Sequence, residues 1–540
     1  MNLTEIHKKI GQLMVVGFNG KKVTPEIRKL IREYHVGGII LFGRNIGTPE
    51  EVFNLTRELQ LEAKNAGHER PLFICIDQEN GVVRRLGEGT TIFPGAMLLG
   101  ATGRSENAYI TGLATGRELK ALGINWNLAP VADINNNPDN PVIGVRSYGE
   151  TPELVSDFAK QAMKGMNDAG VMTTLKHFPG HGDTAVDSHL DLPVINHDME
   201  RLMNVELKPF IACIEQGADT VMTSHVYFPA IEDQKNVPAT LSNKVITGLL
   251  RNKIGFDGVV TTDCMEMNAI SEGIGTAEGS VQALQAGVDL IMVSHLQTRQ
   301  YESINAINAA ITSGDIEMEV LDGAYERVMQ LKDKYLSWAD IPFHEQKVSE
   351  YLKSAGVGSN LHRAESYEIY KQGISILKNE SHLIPIKKDG HDRILVVYPK
   401  NNYAMMVEDK RYATFSLGKA VKECYESTEI VEVSNPPTEK EISEVQTMAG
   451  EYDIVVVGTL TVQANDAQTK LVNAIYNHNK NVIVIATRSP YDIAYLPDVP
   501  VYINTYEFTY PALETAAKAI FGDVNVKGKS PVTIPNKVEV

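Results

Sequence analysis

The chain has 540 residues, of which 43% are hydrophobic and 22% are charged, and its formal net charge is −17. This composition is typical of globular proteins and excludes a largely disordered chain, and the length leaves room for two domains. The acidic balance, without any Lys/Arg stripe, disfavours nucleic acid or an anionic membrane as a partner.

The N-terminus and the cysteines indicate where the protein works. Met1–Gly20 lacks a basic segment followed by a long apolar one, so no signal peptide is predicted, and no apolar run reaches the about 20 residues of a membrane span. Cys75, Cys213, Cys264 and Cys424 show neither CxxC nor zinc-finger spacing and are predicted to be buried thiols. We therefore expect a cytoplasmic protein.

Eight β-branched runs occur in the first part of the chain, each followed by a polar loop and an amphipathic stretch. The runs are Gln12–Phe18, Val36–Phe42, Leu72–Ile76, Ile124–Ala132, Val171–Leu175, Thr220–Ser224, Gly258–Thr262 and Asp289–Ser294. This alternation predicts a (β/α)8 TIM-type barrel over residues 1–335, with its active site at the C-terminal ends of the strands. The rival doubly wound sheet usually has GxGxxG after its first strand, and this chain has Asn19-Gly20-Lys21 there.

The second part of the chain follows a polar linker, residues 336–360. Residues 361–540 again alternate strands with helices and are predicted to form a C-terminal α/β/α sandwich domain. Its predicted strands are Arg393–Tyr398, Ile430–Val433, Asp453–Gly458, Asn481–Ala486 and Val501–Asn504.

Polar side chains follow five of the barrel runs directly, where a barrel places its active site. They are Asp77, Asp133, Lys176 with His177, His225 and Asp263. Any one of them is explained by a loop or by a hydrogen-bonded buried group. Their agreement across five strands favours a catalytic mouth.

The densest segment, Lys176 to His189, is rich in Gly and Pro and is predicted to be a folded loop. Asp187 and His189 are two apart, so in an extended loop both side chains face the same way. An Asp partner favours imidazolium, which suits a general acid. The loop's histidines and aspartates also suit zinc or iron, but Lys176 would place a cation beside the metal. We expect neither a metal nor another cofactor.

The seventh run ends at Asp263, which is the predicted nucleophile. A carboxylate there can attack the anomeric carbon of a sugar while a second group protonates the leaving oxygen. Glu266 is the weaker candidate because it lies farther from the strand end, and a helix N-cap is the plain alternative for Asp263. Nearby methionines, including Met267, suit a sugar face.

We expect the substrate to be bound by Asp77, Arg85 and Arg146. Lys176 and His177 are expected to donate hydrogen bonds to its hydroxyl groups. An aspartate accepts from two sugar hydroxyls, and an arginine fork binds hydroxyl or acetamido oxygens. Surface ion pairing is the alternative for either arginine.

These residues resemble the family 3 glycoside hydrolases, specifically their β-N-acetylglucosaminidases in the two-domain form. The resemblance is carried by Lys176-His177-Phe178-Pro179-Gly180-His181-Gly182 with Asp187-Ser188-His189, by Thr262-Asp263 with Met267, and by Arg488–Asp492 and Gly528–Pro535. It implies Asp187/His189 as the acid/base dyad, Asp263 as nucleophile, and Asp77, Arg85, Arg146, Lys176 and His177 as sugar-binding residues. One departure is Asn80-Gly81-Val82, where Gly-Gly-Arg is common.

The resemblance implies a retaining enzyme that releases GlcNAc from muropeptide or chitin-derived fragments, as in peptidoglycan recycling, with a small glycan as its partner. Alternatives are a β-N-acetylglucosaminide phosphorylase, since a His acid/base leaves the site less anionic, and a β-glucosidase or β-xylosidase, which take the acid/base from the second domain. A non-catalytic sugar-binding protein would be expected to lack the nucleophile or the dyad. Gly273–Gly279 only weakly resembles a nucleotide turn. The aglycone, the acceptor and the oligomeric state stay open.

Overall fold

The computed structural model describes residues 3–188, 190–380, 382–400, 407–409, 411, 416–464 and 466–535. The first part of the chain forms eight parallel strands: β1 (Met14–Val16), β2 (Gly38–Leu41), β3 (Phe73–Ile76), β4 (Trp126–Asn127), β5 (Met172–Phe178), β6 (Thr220–Thr223), β7 (Val259–Thr261) and β8 (Ile291–Val293). Their order is β7-β6-β5-β4-β3-β2-β1-β8, and a parallel bridge from Thr261 to Leu290 joins β7 to β8. The predicted TIM-type barrel is confirmed.

The barrel helices surround this sheet. They are α1 (Leu3–Gln12), α2 (Pro25–Glu33), α3 (Pro49–Asn65), α4 (Ala96–Ala101), α5 (Glu106–Ala121), α6 (Pro152–Asp168), α7 (Met199–Asn204), α8 (Lys208–Ile214), a π-type helix (Lys244–Lys253), α9 (Asn268–Ser271), α10 (Thr276–Ala286), α11 (Gln297–Ser313) and α12 (Met318–Tyr335). Thr24, Thr48 and Thr151 cap α2, α3 and α6, and each is followed by proline at the first helical position. This pair starts a helix because the threonine oxygen accepts an unpaired N–H and proline lacks one.

Each predicted barrel run contains an observed strand, and the fourth differs most in length. Ile124–Ala132 was expected to be extended throughout, but β4 covers only Trp126–Asn127. Pro130 has no N–H to give to a ladder, so regular pairing ends early. Val131 then meets Lys176 in an isolated parallel bridge.

The second sheet has six strands: β9 (Ser375–Asn379), β10 (Ile394–Pro399), β11 (Thr428–Val433), β12 (Ile454–Thr459), β13 (Val482–Ala486) and β14 (Val501–Asn504). Its order is β11-β10-β12-β13-β14-β9, and only β9 is antiparallel among these pairings. The helices outside the barrel are α13 (Val348–Ser354), α14 (Asn360–Gly373), α15 (Leu417–Cys424), α16 (Glu439–Ala449), α17 (Ala467–His478) and α18 (Tyr510–Ile520). β9 was not predicted, because this strand is mostly half-buried and lacks an apolar run.

Both faces of the second sheet are buried. Val455 and Val457 of β12 belong to one hydrophobic cluster, whereas Ile454 and Val456 belong to the other. Alternate residues of a strand point to opposite faces, so a continuous Val/Ile run marks a sheet covered on both sides. The predicted α/β/α sandwich is confirmed.

The second domain docks on the barrel through buried polar contacts. The Glu507 carboxylate accepts hydrogen bonds from the Gly95 N–H at 2.6 Å and the Tyr370 hydroxyl at 2.8 Å. Gly373, at the end of α14, packs so closely on Leu98 that an added Cβ would lie 2.5 Å from its carbonyl oxygen. Among the described helices, none is both long enough and apolar enough to cross a membrane.

Candidate active site

A cavity of about 440 Å³ opens at the C-terminal ends of the barrel strands. All the predicted binding residues and the predicted nucleophile line it: Asp77, Arg85, Arg146, Lys176, His177, Met267 and Asp263. Asp187 is half-buried and adjoins Ser188, which also lines the cavity. His189 lies outside the described residues.

Three charged side chains of the cavity lining, Asp77, Arg146 and Lys176, are linked to the buried side chain of Glu79 beside the cavity, and we call these four the charge network. The Lys176 ammonium lies 2.9 Å from Asp77 Oδ1 and 2.6 Å from Glu79 Oε1. Arg146 binds both Glu79 oxygens, with Nη2 at 2.8 Å and Nε at 2.9 Å. The network joins the ends of β3 and β5 to the loop after β4.

The charges of this network stabilise one another. Burial alone would raise the pKa of Glu79, but Arg146 and Lys176 outweigh it and hold the pKa below its ordinary value. Burial would likewise lower the pKa of Lys176, but Asp77 and Glu79 raise it. Lys176 is therefore a fixed cation that can donate to a sugar hydroxyl. The role of Glu79 was not predicted. The one feature of the sequence that points to this role is the position of Glu79 shortly after β3.

His177 is oriented by the buried carboxylate of Asp133. Asp133 Oδ2 lies 2.7 Å from His177 Nδ1, and Oδ1 accepts the His181 N–H at 2.7 Å. Burial tends to raise the pKa of Asp133, but His177 overcomes that effect and the pKa is lowered. With Nδ1 fixed in this way, the other ring nitrogen of His177 points toward Arg146, 3.4 Å away.

Two of the polar residues at the strand ends lie outside the cavity lining. Asp133 supports His177 and His181, as just described. His225, after β6, has Nε2 3.0 Å from the Cys264 carbonyl oxygen and so holds the segment that follows Asp263. The expectation that every such residue faces the cavity is wrong for these two, because a packed barrel end also needs polar supports.

Asp263 follows β7 and adjoins the cavity floor. Its Oδ1 accepts the N–H of Cys264 at 2.7 Å. The next helix, α9, begins only at Asn268 with Met267 as its N-cap, so Asp263 is not a helix cap. Thr262 fixes the segment against β8, since its N–H donates to the Leu290 carbonyl at 2.9 Å.

Glu266, the weaker nucleophile candidate, accepts the backbone N–H groups of His295 at 2.5 Å and Leu296 at 2.9 Å. It thereby fixes the loop before α11. Cys264, Glu266 and His295 are also the one group in the described part of the chain with metal-ligand spacing. A cation already lies beside them, because the Arg44 guanidinium is 3.1 Å from His295 Nδ1.

The loop that carries the predicted dyad turns at Asp187. The Asp187 carbonyl accepts from the N–H groups of Leu190 at 2.9 Å and Asp191 at 3.1 Å. The expected pairing of Asp187 with His189 stays a prediction, because His189 lies outside the described residues.

His181 holds this loop in place. Its ring nitrogens lie 2.9 Å from Thr184 Oγ1 and 2.9 Å from Ser188 Oγ. Burial, with His177 nearby, lowers the pKa of His181 to about 4. An imidazole that is neutral and hydrogen-bonded at both ring nitrogens is a poor general acid. The carboxylate of Asp183 is engaged as well, since its Oδ2 lies 2.7 Å from His197 Nε2.

The second domain also reaches the cavity, which the sequence analysis left open. Val407, Glu408 and Asp409, in the segment after β10, line its rim. No pattern in the sequence links this segment to the barrel. The cysteines are all unpaired thiols, with Cys75 and Cys213 buried and Cys264 and Cys424 only partly so, which corrects the expectation for the last two.

The family model described as glycosyl hydrolase family 3 N terminal domain matches residues 5–331, and the model for the family's C-terminal domain matches residues 374–540. Together they cover both sheets.

Three relatives agree with the family models, two of them over nearly the whole chain. β-Hexosaminidase A of Pseudoalteromonas piscicida is 30% identical and aligns with 94% of this chain and 91% of its own. β-Hexosaminidase of Xylella fastidiosa (strain M23) is 35% identical over 52% of this chain and 83% of its own. A solved glycoside hydrolase family 3 β-N-acetylglucosaminidase from Paenibacillus sp. str. FPU-7 is 41% identical, with a TM-score of 0.89 over 98% of this chain and 99% of that one. The chain belongs to glycoside hydrolase family 3.

Proposed function

We propose that this enzyme is a retaining β-N-acetylglucosaminidase that releases a terminal β-linked GlcNAc from a small glycan. The observation that carries the proposal is the meeting, in one cavity, of Asp263 with Asp77, Arg146 and Lys176 of the charge network. A carboxylate placed opposite fixed hydroxyl-binding groups is the arrangement that a covalent glycosidase needs. The β-hexosaminidase relatives support the sugar specificity.

The reaction proceeds in two displacements. Asp263 attacks the anomeric carbon, the bond to the leaving oxygen breaks, and the His189 imidazolium gives its proton to that oxygen. The neutral imidazole then takes a proton from water, whose oxygen attacks the anomeric carbon and releases Asp263. Asp187 stabilises the imidazolium in this scheme.

Water fits this site better than phosphate as the acceptor. The lysine and arginine side chains that line the barrel part of the cavity already have acceptors. Lys176 and Arg146 are paired within the charge network, and Arg85 donates to the Val407 carbonyl at 2.8 Å. Arg44 donates to the Phe18 and Ser294 carbonyls at 2.8 and 2.6 Å. An incoming phosphate would have to break these contacts, and removing an acceptor from a buried charge is costly.

Muropeptide and chitin-derived fragments both end in β-linked GlcNAc, so both are proposed substrates. Action on muropeptides would place the enzyme in cytoplasmic peptidoglycan recycling, which we propose as its role.

A panel of 4-nitrophenyl β-glycosides of GlcNAc, glucose and xylose, assayed with and without phosphate, tests the proposal. We expect preferential release of GlcNAc, with no GlcNAc-1-phosphate. Faster turnover of glucoside or xyloside would overturn the sugar specificity, and phosphate-dependent GlcNAc-1-phosphate would make the enzyme a phosphorylase. A fluorosugar inactivator should label the peptide at Asp263 and not at Glu266.

Treatment with a chelator separates this mechanism from a metal-dependent one. Activity should survive prolonged EDTA, because the proposed chemistry uses only carboxylate and imidazole groups. Loss of activity that zinc or manganese restores would favour the metal interpretation of the loop histidines.

A further inference from the structure

We propose that the second domain positions the sugar-binding Arg85, and that Arg411 is the positioning residue. The segment responsible consists of Val407, Glu408, Asp409 and Arg411, which we call the latch. The inference rests on the proposed function, because it assigns the latch a role in binding the GlcNAc residue.

Arg85 and the latch hold each other through two hydrogen bonds in opposite directions. Arg85 Nη1 donates to the Val407 carbonyl at 2.8 Å, and Arg411 Nη2 donates to the Arg85 carbonyl at 3.0 Å. A second Arg411 nitrogen, Nη1, donates to the Ile46 carbonyl at 3.0 Å. The barrel arginine is thus fixed at its backbone and at its side chain by the other domain.

Arg85 carries this restraint into the sugar site. Its side chain is only 5% exposed, and Nη2 lies 3.5 Å from Asp77 Oδ2. Asp77 in turn accepts from Lys176 at 2.9 Å. A small shift of Arg85 would therefore move the carboxylate that is expected to accept sugar hydroxyl protons, and hydrogen bonding to a sugar is sensitive to such displacements.

The barrel is shaped to receive the latch. Asp409 binds Arg411 through both oxygens, with Nη2 2.7 Å from Oδ2 and Nε 3.0 Å from Oδ1. Asp409 Oδ2 fills the space beside Gly43, where an added Cβ would lie 2.0 Å away. A side chain at position 43 would therefore displace the Asp409–Arg411 pair, which gives Gly43 a reason to be glycine.

The latch is anchored to its own domain by a buried ion pair. Arg488 Nε lies 3.1 Å from Glu408 Oε1, and their side chains are 7% and 1% exposed. Arg488 Nη1 also donates to Thr461 Oγ1 at 3.1 Å, just after β12. The latch follows β10, which lies between β11 and β12 in the sheet, so it leaves from the point where the strand order reverses. Open α/β sheets usually bind ligands at that crevice, and here it holds a segment that serves the neighbouring barrel.

Steady-state kinetics on 4-nitrophenyl N-acetyl-β-glucosaminide test the proposal in the full chain. Arg411→Ala should raise KM about tenfold, the order expected for hydrogen bonds from a charged donor, with kcat within about twofold. Arg411→Lys keeps the positive charge beside Asp409 but loses the guanidinium fork, so its KM should lie between those of the wild type and Arg411→Ala. The matched control is Arg393→Ala, at an exposed arginine of the second domain, which should leave KM unchanged.

Gly43→Ala approaches the same contact from the barrel side and does not depend on the folding of an Arg411 variant. Gly43→Ala should also raise KM. The double variant Gly43→Ala/Arg411→Ala should have a KM no higher than that of Arg411→Ala, because both substitutions remove the same contact. Wild-type KM in Arg411→Ala, or additive effects in the double variant, would overturn the proposal.

The two proposals fail in different ways. If the wild-type enzyme does not release GlcNAc from the aryl substrate, the proposed function fails. If the wild-type enzyme is active and Arg411→Ala lowers kcat with KM unchanged, the positioning role fails while the function stands. Calorimetric titration with GlcNAc gives a second reading of the binding loss, which should match the change in KM.

Discussion

The two walls of the cavity are held together by different forces. At the ends of β3 and β5, Lys176 and Glu79 form part of a buried network of paired charges. In the loop after β5, His181 is held by the neutral hydroxyls of Thr184 and Ser188, and the Asn140 amide donates to the Gly182 carbonyl at 2.8 Å. Removing one buried charge leaves its partner uncompensated, whereas removing a neutral bond has a smaller effect.

This difference suits the two tasks. In the wall that we propose binds the sugar, each charge fixes the next, so the hydroxyl-binding groups are in place without reorganisation. The wall formed by the loop after β5 relies in part on neutral hydroxyls, because the His181 ring lies between those of Thr184 and Ser188. Variants in the two walls should therefore separate stability from catalysis.

The largest effect on catalysis is expected at Asp263. Asp263→Ala should lower kcat on the order of 10,000-fold or more, because the covalent intermediate cannot form. The fold should be retained, since Asp263 lines the cavity and its Oδ1 accepts the N–H of its own neighbour, Cys264. Stopped assays for GlcNAc release check the rate, and thermal unfolding checks the fold. A kcat close to that of the wild type would refute the nucleophile assignment.

Glu79→Ala should show the opposite balance, with a large loss of stability. Removing Glu79 leaves the buried Arg146 without its carboxylate partner and Lys176 with Asp77 alone, and breaking such a buried pair costs about 3–5 kcal/mol in the free energy of unfolding. Urea unfolding measures it. The control is Glu58→Ala, at an exposed residue of α3, which should change stability by less than about 0.5 kcal/mol. Equal effects for the two variants would contradict a network held together by charge.

His189→Ala should slow hydrolysis by about 100-fold to 10,000-fold for poor leaving groups, the usual range for general acid catalysis. With a dinitrophenyl leaving group the glycosyl-enzyme should form readily and then stall, and azide should restore turnover because it needs no base. Asp187→Ala should show a milder form of the same pattern. Equal loss for good and poor leaving groups, without azide rescue, would make His189 a binding or structural residue.

The sequence predicts the barrel and its mouth because both depend on short-range regularities. A buried parallel strand followed by a polar residue can be recognised in the sequence itself, and for this reason Asp77, Lys176 and Asp263 could be placed at the cavity. The second sheet is visible for the same reason, apart from the half-buried edge strand β9.

Contacts between residues far apart in the sequence could not be predicted from such local patterns. Glu79 becomes the centre of the charge network only when β3, β5 and the loop after β4 come together, and hydrophobic periodicity carries no information about which charges meet. The contact of Arg411 with Arg85 joins two domains. The turn at Asp187 depends on backbone hydrogen bonds within a Gly-rich loop, where spacing alone does not fix the geometry.

The smallest predicted effect concerns the loop wall and its dependence on pH. Burial, with His177 nearby, lowers the pKa of His181 to about 4 in the folded enzyme, below the ordinary value of about 6.5 expected for the unfolded chain. Between these values the unfolded state binds more protons, so stability is full above pH 6.5 and falls as the pH drops toward 4, by at most about 3 kcal/mol.

His181→Asn should therefore flatten the fall in unfolding free energy between pH 7 and pH 4.5, although it also removes bonds to Thr184 and Ser188 and lowers stability at neutral pH. His68 serves as the matched control, because burial lowers its pKa to about 4 as well and it lies among Gln12 and Ile31, away from the cavity lining. His68→Asn should flatten the curve by a similar amount without changing KM, whereas His181→Asn should also alter catalysis through the dyad loop. A curve for His181→Asn that runs parallel to the wild-type curve would mean that folding does not lower the pKa of His181, and His181 would then return as a candidate for the general acid.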